Sequence, residues 1–314
     1  MRILVTGATG FVGRWLCLEL AANGHEVIPT GDRADLDVTD PAAVRARVAD
    51  AGVDAVAHLA AVSFAPEARD DPDRARAVNE GGARNVVAAV AALAEPTPVL
   101  LVSSADVYGP PDPAALPLTE DAPLAADQPY GRSKLAAEQA ATELAEAHDV
   151  PLVIARSFNH AGPGQRLVFV VPAIASRIIA ASKLGEGAIS AGNVDVRRDI
   201  GDVRDVVRAY RLLLEMAVER RGTLAQPLVV NVATGRSVTI RSVIEGLARL
   251  AGIEVAIRVD PMLVRPDDPP DIRGDASRLT AATGWSPRIP LATTLADVLA
   301  DVRTRTSTTA APNA

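Results

Sequence analysis

The chain has 314 residues, 48% of them hydrophobic, and this length and composition exclude a disordered or fibrous protein. Its formal net charge of -7 is spread along the sequence, which excludes nucleic acid as a partner bound through phosphate contacts. The single cysteine, Cys17, excludes an internal disulfide, is expected to be buried among its apolar neighbours and indicates a reducing compartment. Without a signal-peptide pattern or a long apolar run, we expect a cytoplasmic protein with no membrane partner.

Short aliphatic and β-branched runs alternate with alanine-rich segments of helical period in the first half of the chain. Strands are predicted at RILVT, EVIPT, DAVAHLA, PVLLVSS and PLVIARS. A first helix is predicted from Phe11 to Gly24, and a second between the N-cap residue Asp40 and Gly52, which follows its end. Two more helices are predicted near 72–94 and 127–148. This order predicts an α/β protein with a doubly wound parallel (Rossmann) sheet.

The second half of the chain is looser and rich in proline, glycine and charge, which is typical of segments that fold over a ligand. We predict a dinucleotide-binding domain over 1–160, to which segments near 194–235 return. A smaller, discontinuous substrate-binding lobe is predicted mainly over 161–303. The tail, residues 304–314, has few apolar residues and is predicted to be disordered.

The stretch VTGATGFVG places Gly7, Gly10 and Gly13 directly after the first strand and at the start of a helix. This spacing lets the backbone turn tightly and approach a pyrophosphate, while the helix N-terminus offers N–H groups and a partial positive charge. A glycine-rich turn without a ligand is the alternative. The alternating context favours a dinucleotide site.

The end of the second strand, TGDR, bears on which dinucleotide binds. Gly31 leaves room for a 2′-phosphate that Arg33 could clamp, whereas Asp32 could bind the ribose hydroxyls of NAD. Arg33 could also be a solvated loop charge. The pattern favours NADP, with NAD as the alternative.

A second chemical motif, YGRSK, puts Tyr130 and Lys134 on one face of a helix. A neighbouring ammonium is expected to lower the pKa of a tyrosine that would then exchange a proton with substrate. Ser103 and Ser104 end a strand at the carboxyl edge of the sheet, where ligands bind. Ser104 could donate a hydrogen bond to a substrate carbonyl.

Five stretches together, VTGATGFVG, HLAA, SSADVYG, YGRSK and RSFNHAGPGQ, resemble the extended short-chain dehydrogenase/reductases, the nucleotide-sugar epimerase and dehydratase family. The resemblance implies a catalytic triad of Ser104, Tyr130 and Lys134, with Asn79 on a helix behind the site. It also implies a homodimer through the helices near 72–94 and 127–148, and no metal. Residues implied to bind the cofactor, besides the three glycines, Tyr130 and Lys134, are Thr9, Phe11, Val12, Asp32, Arg33, Asp37, Val38, Leu59, Ala60 and Ala61.

Within the family, the second half of the chain resembles the GDP-mannose branch, which contains 4,6-dehydratases and 4-keto reductases. Residues implied to bind a nucleotide sugar are Val62, Asp106, Asn159, Val171, Arg198 and Arg265, whereas Arg197, Arg204 and Arg208 are expected to pair with nearby aspartates. The dehydratases use a glutamate where this chain has Asp106, and a shift of about 1.5 Å can cost a hundredfold in rate.

The shortened carboxylate therefore favours reduction of GDP-4-keto-6-deoxy-D-mannose to GDP-D-rhamnose. A 4,6-dehydratase, a nucleotide-sugar 4-epimerase and a non-catalytic dinucleotide sensor remain alternatives. His160 either tunes the site or is satisfied by neighbouring backbone.

Overall fold

Six parallel strands form the central sheet of the protein, a computed structural model that describes residues 1–224, 226–264 and 268–308. Numbered in chain order, they are β1 (Arg2–Thr6), β2 (Glu26–Pro29), β3 (Ala55–His58), β4 (Val99–Ser104), β5 (Leu152–Ser157) and β9 (Leu228–Val232). Their order across the sheet is β2-β1-β3-β4-β5-β9. β3 and β5 are buried along their whole length, because helices cover both faces of the sheet. The predicted doubly wound parallel sheet is confirmed.

Helices pack on the two faces in separate layers. One layer consists of α1 (Phe11–Ala22), α8 (Val203–Glu219) and α10 (Ser277–Thr283), and the other of α2 (Pro41–Ala51), α5 (Gly82–Ala91) and α6 (Pro129–His148). The remaining helices are α3 (Ala65–Asp70), α4 (Pro72–Arg76), α7 (Val170–Leu184), α9 (Ile240–Ala251) and α11 (Leu291–Thr308). α8 is amphipathic, and its apolar side buries Leu213 and Leu214 completely.

A second hydrophobic core lies beyond the central sheet. There α7, α9 and α11 pack together around Ile178, Ile244 and Val298. The short strands that accompany them are β6 (Asn159–Ala161), β7 (Ala188–Ala191), β8 (Arg197–Asp202), β10 (Ser237–Thr239), β11 (Ala256–Val259) and β12 (Asp271–Ile272). β8 pairs with β6, β10 and β12, and β7 pairs with β11. Between these elements the chain returns to the central sheet through α8 and β9, so the second core is assembled from segments that are separated in sequence. The domain boundaries predicted at residues 160 and 303 stay a prediction.

The helix predicted near 72–94 differs from a regular helix. Between α4 and α5 the chain makes a π-helical turn over Ala77–Gly81, and α5 ends at Ala91. Asn79 lies in this wide turn, where its side chain bonds the backbone of Val62 and the hydroxyl of Ser133. The period-based prediction missed the turn because the side-chain bonds that accompany it come from residues distant in sequence.

Other local predictions have mixed outcomes. Asp40 caps α2 by accepting the N–H groups of Ala42 and Ala43, and Gly52 ends that helix with φ +56°, as expected. Cys17 packs against the core beneath α1, as expected, but it is half-buried rather than fully buried. No helix in the described part of the chain combines the length and hydropathy that a bilayer crossing requires.

The predicted disorder of the tail is wrong for residues 304–308. α11 continues through them to Thr308, because Val298 and Val302 anchor the helix in the second core and Arg305 contacts a loop. Residues 309–314 lie outside the described residues.

Candidate functional site

A cleft of about 1410 Å³ opens at the carboxyl edge of the central sheet. After β1 the chain crosses first to β2 and then to β3 on the other side, and such a switch point leaves a crevice for a ligand. All the sequence-predicted site residues that the structure describes line this cleft: Gly7, Thr9, Gly10, Phe11, Val12, Gly13, Asp32, Arg33, Asp37, Val38, Leu59, Ala60, Ala61, Val62, Ser104, Asp106, Tyr130, Lys134, Asn159, Val171 and Arg198. Arg265 lies outside the described residues.

The glycine stretch forms a tight cradle between β1 and α1. Gly7 has φ +69°, and a Cβ there would meet the backbone nitrogen of Ala60 at 2.8 Å. A Cβ on Gly13 would meet the carbonyl oxygen of Gly7 at 2.2 Å. Within the described chain, no side chain caps the start of α1. This geometry fits a dinucleotide, because bare backbone and a helix N-terminus face the cleft together.

Thr6 holds the backbone of Leu59 and Ala60, which lies against Gly7. Its hydroxyl accepts the N–H groups of Leu59 and Ala60 and lies 2.8 Å from Nδ1 of His58. Burial lowers the pKa of His58 to about 3, and the nearby Lys134 acts in the same direction. His58 is therefore neutral at physiological pH. Its hydrogen bond with Thr6 connects it to the hydroxyl that binds the backbone of Leu59 and Ala60 in the HLAA stretch.

The adenosine end of the cleft carries the residues that bear on cofactor choice. The Gly31 N–H donates to Asp35, and the carboxylate of Asp32 accepts the Ala34 N–H. Arg33 Nε lies 2.7 Å from Asp37 Oδ2, with 84% of the arginine side chain exposed. The guanidinium therefore stands at the cleft rim on a flexible stem, where it can turn from Asp37 to a ligand phosphate.

Ser104 and Asp106 form a short turn at the end of β4. The Ser104 hydroxyl donates to Asp106 Oδ2 at 2.8 Å and accepts the Asp106 N–H at 3.2 Å. Gly131 packs so closely on this turn that a Cβ there would meet the Asp106 carbonyl oxygen at 2.5 Å. The start of α6, which carries Tyr130, is thereby seated directly on the serine turn.

Tyr130 and Lys134 follow one another on the same face of α6. Burial raises the pKa of Tyr130, the charge of Asp106 adds to this, and a hydrogen bond with Ser104 opposes it. The expected lowering of the Tyr130 pKa is therefore wrong for this structure, because desolvation of the phenolate dominates. Lys134 donates instead to the carbonyl of Val102 at 2.8 Å. Burial lowers the pKa of Lys134 to about 8, against the opposing charge of Glu138.

The two serines at the end of β4 have different partners. Ser103 donates to Glu138 at 2.5 Å, and Glu138 forms a buried ion pair with Arg156. Sequence reasoning missed this pair, because the single residues Glu138 and Arg156 carry no spacing signal.

Asn79, expected only to lie behind the site, donates to the hydroxyl of Ser133, and that hydroxyl in turn donates to the carbonyl of Tyr130. These contacts fix the helix that carries the tyrosine.

On the substrate side, Val62 and Val171 are buried and Asn159 is exposed. Arg198 is 8% exposed and is held by the carboxylate of Asp268 and the carbonyl of Pro269. His160 lies 3.0 Å from the Phe158 carbonyl oxygen and stacks on Phe11, and burial lowers its pKa.

Two of the three neighbouring arginines pair with aspartates as expected: Arg204 with Asp202 and Asp297, and Arg208 with Asp205. Arg197, for which an aspartate partner was also expected, donates instead to the hydroxyl and carbonyl oxygens of Ser237.

Known proteins are similar to this chain over most of its length. The model of the NAD dependent epimerase/dehydratase family matches residues 3–233. GDP-6-deoxy-D-mannose reductase from Pseudomonas aeruginosa is 37% identical over 308 residues, which cover 97% of this chain and 98% of that protein. GDP-6-deoxy-D-talose 4-dehydrogenase from Aggregatibacter actinomycetemcomitans is 28% identical, covering 90% of this chain and 92% of that protein.

Solved structures are similar over the whole fold. RMD from Pseudomonas aeruginosa complexed with NADPH superposes with a TM-score of 0.85 at 35% identity, covering 97% of this chain and all (100%) of that one. UDP-glucose-4-epimerase from Stenotrophomonas maltophila, with bound NAD and formylated UDP-arabinopyranose, has a TM-score of 0.86 at 25% identity, covering 98% and 99% of the two chains. The chain therefore belongs to the NAD dependent epimerase/dehydratase family and is an NAD(P)-dependent oxidoreductase of the extended short-chain type.

Proposed function

We propose that this enzyme reduces the C4 keto group of a GDP-linked 4-keto-6-deoxyhexose, converting GDP-4-keto-6-deoxy-D-mannose to GDP-D-rhamnose. The observation that carries the proposal is the Ser104–Asp106 turn. The Asp106 carboxylate is hydrogen-bonded to the serine at 2.8 Å and is one methylene shorter than a glutamate. A carboxylate shortened in this way is expected to stand too far from C5 to act as the base that a dehydratase needs. Similarity to the Pseudomonas reductase, at 37% identity, supports the same reaction.

The residues of the cleft divide the reaction between them. A dihydronicotinamide cofactor, held at the cradle of Gly7, Gly10 and Gly13, would supply the hydride for C4. Ser104 turns its hydroxyl from Asp106 to the C4 carbonyl oxygen and holds the carbonyl in place. Tyr130 gives its phenolic proton to that oxygen as the C–H bond forms, and its raised pKa keeps it protonated and ready to donate at neutral pH. Lys134, held on the Val102 carbonyl, lies on the same helical face to stabilise the resulting phenolate.

For the cofactor we propose NADPH. The small Gly31 and the exposed Arg33 support a site for the 2′-phosphate. The Pseudomonas structure complexed with NADPH supports the same choice. Replacing Arg33 with alanine is expected to weaken NADPH binding while leaving NADH binding unchanged.

The decisive experiment follows nicotinamide absorbance after the purified protein is mixed with freshly generated GDP-4-keto-6-deoxy-D-mannose. We expect rapid oxidation of NADPH, slower oxidation of NADH, and oxidation slowed by about 10²–10⁴ with Tyr130→Phe. Conversion of GDP-mannose to its keto product without net oxidation would instead identify a dehydratase. NAD that survives purification, with interconversion of C4 epimers, would identify an epimerase.

The assembly proposed for this enzyme is a homodimer in the cytoplasm, divided into a dinucleotide domain and a substrate lobe. α5 and α6 pack side by side and expose Arg84 on one helix and Arg132 and Gln139 on the other. The half-buried Ala88 and Ala136 allow a partner helix to approach closely. Light scattering should give a dimer for the wild type and a monomer for Ala136→Glu.

A further inference from the structure

One wall of the cleft is the segment Gly162–Phe169, here called the wall loop. It runs from β6 to α7 and contributes five residues to the cleft lining: Gly164, Gln165, Arg166, Val168 and Phe169. The position of the wall loop therefore affects the shape of the cleft.

From the dinucleotide side, α1 holds the carbonyl groups of the wall loop. Trp15 Nε1 donates to the Pro163 oxygen at 3.0 Å, and Arg14 Nη2 donates to the Gly164 oxygen at 3.3 Å. Because α1 begins at the glycine cradle, these contacts tie the wall loop to the cofactor-binding element.

From the opposite side, the C-terminal helix α11 holds the same stretch of backbone. Asp301 Oδ2 accepts the Gly164 N–H at 2.9 Å, and Arg305 Nη2 donates to the Gln165 carbonyl at 3.0 Å. The two side chains pair with each other at 2.6 Å and are 22% and 36% exposed. Gly164 has φ +86°, so this is a turn that depends on its hydrogen bonds to keep its shape.

We propose that Asp301 and Arg305 are positioning residues that fix the wall loop for binding of the nucleotide sugar, an inference that rests on the proposed function. They contact no reacting atom and act through the backbone of Gly164 and Gln165. α11 has its own anchors in the second core, because the side chains of Val298 and Val302 are fully buried there. The two valines hold the helix, and Asp301 and Arg305 extend from it to the backbone of the wall loop.

The chain offers a matched control on the same helix. Asp297, one turn before Asp301, pairs with Arg204 at 2.7 Å and has a similar partly exposed side chain. The Arg204 side chain lies on α8 and bonds the carboxylates of Asp202 and Asp297. Asp297→Ala therefore removes a comparable ion pair from α11 and leaves the backbone of Gly164 untouched.

Kinetics give the first test. Asp301→Ala should raise KM for the nucleotide sugar about tenfold, the loss expected for a hydrogen bond to a charged group. Its kcat should stay within about threefold of wild type, because ground-state and transition-state binding are weakened alike. Asp301→Asn should recover most of the loss, since the carboxamide oxygen still accepts the Gly164 N–H. The Kd for NADPH should not change in any of these variants.

Amide hydrogen exchange over residues 162–169 gives a test that needs no substrate. Exchange should be faster in Asp301→Ala and unchanged in Asp297→Ala. Unchanged exchange in Asp301→Ala, or an equal rise in KM in Asp297→Ala, would overturn the positioning role. If the wild type reduces no keto sugar, the proposed function fails, and the exchange comparison still decides whether Asp301 holds the loop.

Discussion

The buried ion pair between Glu138 and Arg156 allows a quantitative prediction about stability. The Glu138 and Arg156 side chains are only 5% and 6% exposed, and they join at 2.8 Å. Glu138 also accepts from Ser103, and Arg156 also donates to the Tyr108 hydroxyl and the Glu120 carbonyl. Glu138 lies one turn beyond Lys134, so the pair anchors the catalytic helix α6 to β4 and β5.

Glu138→Ala leaves the Arg156 guanidinium buried without its carboxylate. Removing one partner of such a pair costs about 3–5 kcal/mol in free energy of unfolding. An exposed pair gives the comparison: Arg241 and Asp195 lie 2.9 Å apart with side chains 43% and 78% exposed. Asp195→Ala should cost at most about 1 kcal/mol. The double variant Glu138→Leu with Arg156→Met should be more stable than Glu138→Leu alone, because it removes the unpaired charge.

Urea unfolding followed by fluorescence and circular dichroism measures these differences, with coincident transitions establishing two-state behaviour. Equal m-values would show that the variants unfold from the same native structure. A cost below about 1 kcal/mol for Glu138→Ala, matching that of Asp195→Ala, would refute the reasoning, since burial would then not have amplified the loss.

Three further predictions concern the cleft. Gly13→Ala should abolish NADPH binding in a fluorescence titration, because its Cβ would stand 2.2 Å from the Gly7 carbonyl oxygen; affinity within twofold of wild type would contradict this. Tyr130→Phe should lower kcat by about 10²–10⁴ with NADPH affinity unchanged, and retention of a tenth of wild-type kcat would speak against the proton-donor role. Burial lowers the pKa of Lys134 to about 8 in the folded protein, so between pH 8 and about 10.5 the unfolded chain binds more protons than the folded one. The free energy of unfolding of the wild type should therefore rise by about 3 kcal/mol, relative to that of Lys134→Met, as the pH increases through this window. A difference between the two proteins that stays constant with pH in urea unfolding would rule out the shift.

Much of the cofactor half could be predicted from the sequence by itself. Strand, glycine turn and helix are contiguous in VTGATGFVG, so local spacing determined the cradle formed by Gly7, Gly10 and Gly13. Alternation of apolar strands with helical periods likewise determined the parallel sheet, because helices on both faces require strands buried along their length. The four-residue spacing of Tyr130 and Lys134 placed both on one face of α6 for the same local reason.

Only the tertiary structure decided what depends on contacts between distant segments. The pKa of Tyr130 rises instead of falling, because burial by other elements outweighs anything the spacing implies. The π-helical turn at Asn79 accompanies bonds to Val62 and Ser133, and α11 reaches the wall loop across more than a hundred residues of sequence. Local sequence determines backbone conformation within a few residues, whereas desolvation and long-range hydrogen bonds exist only once the chain has packed.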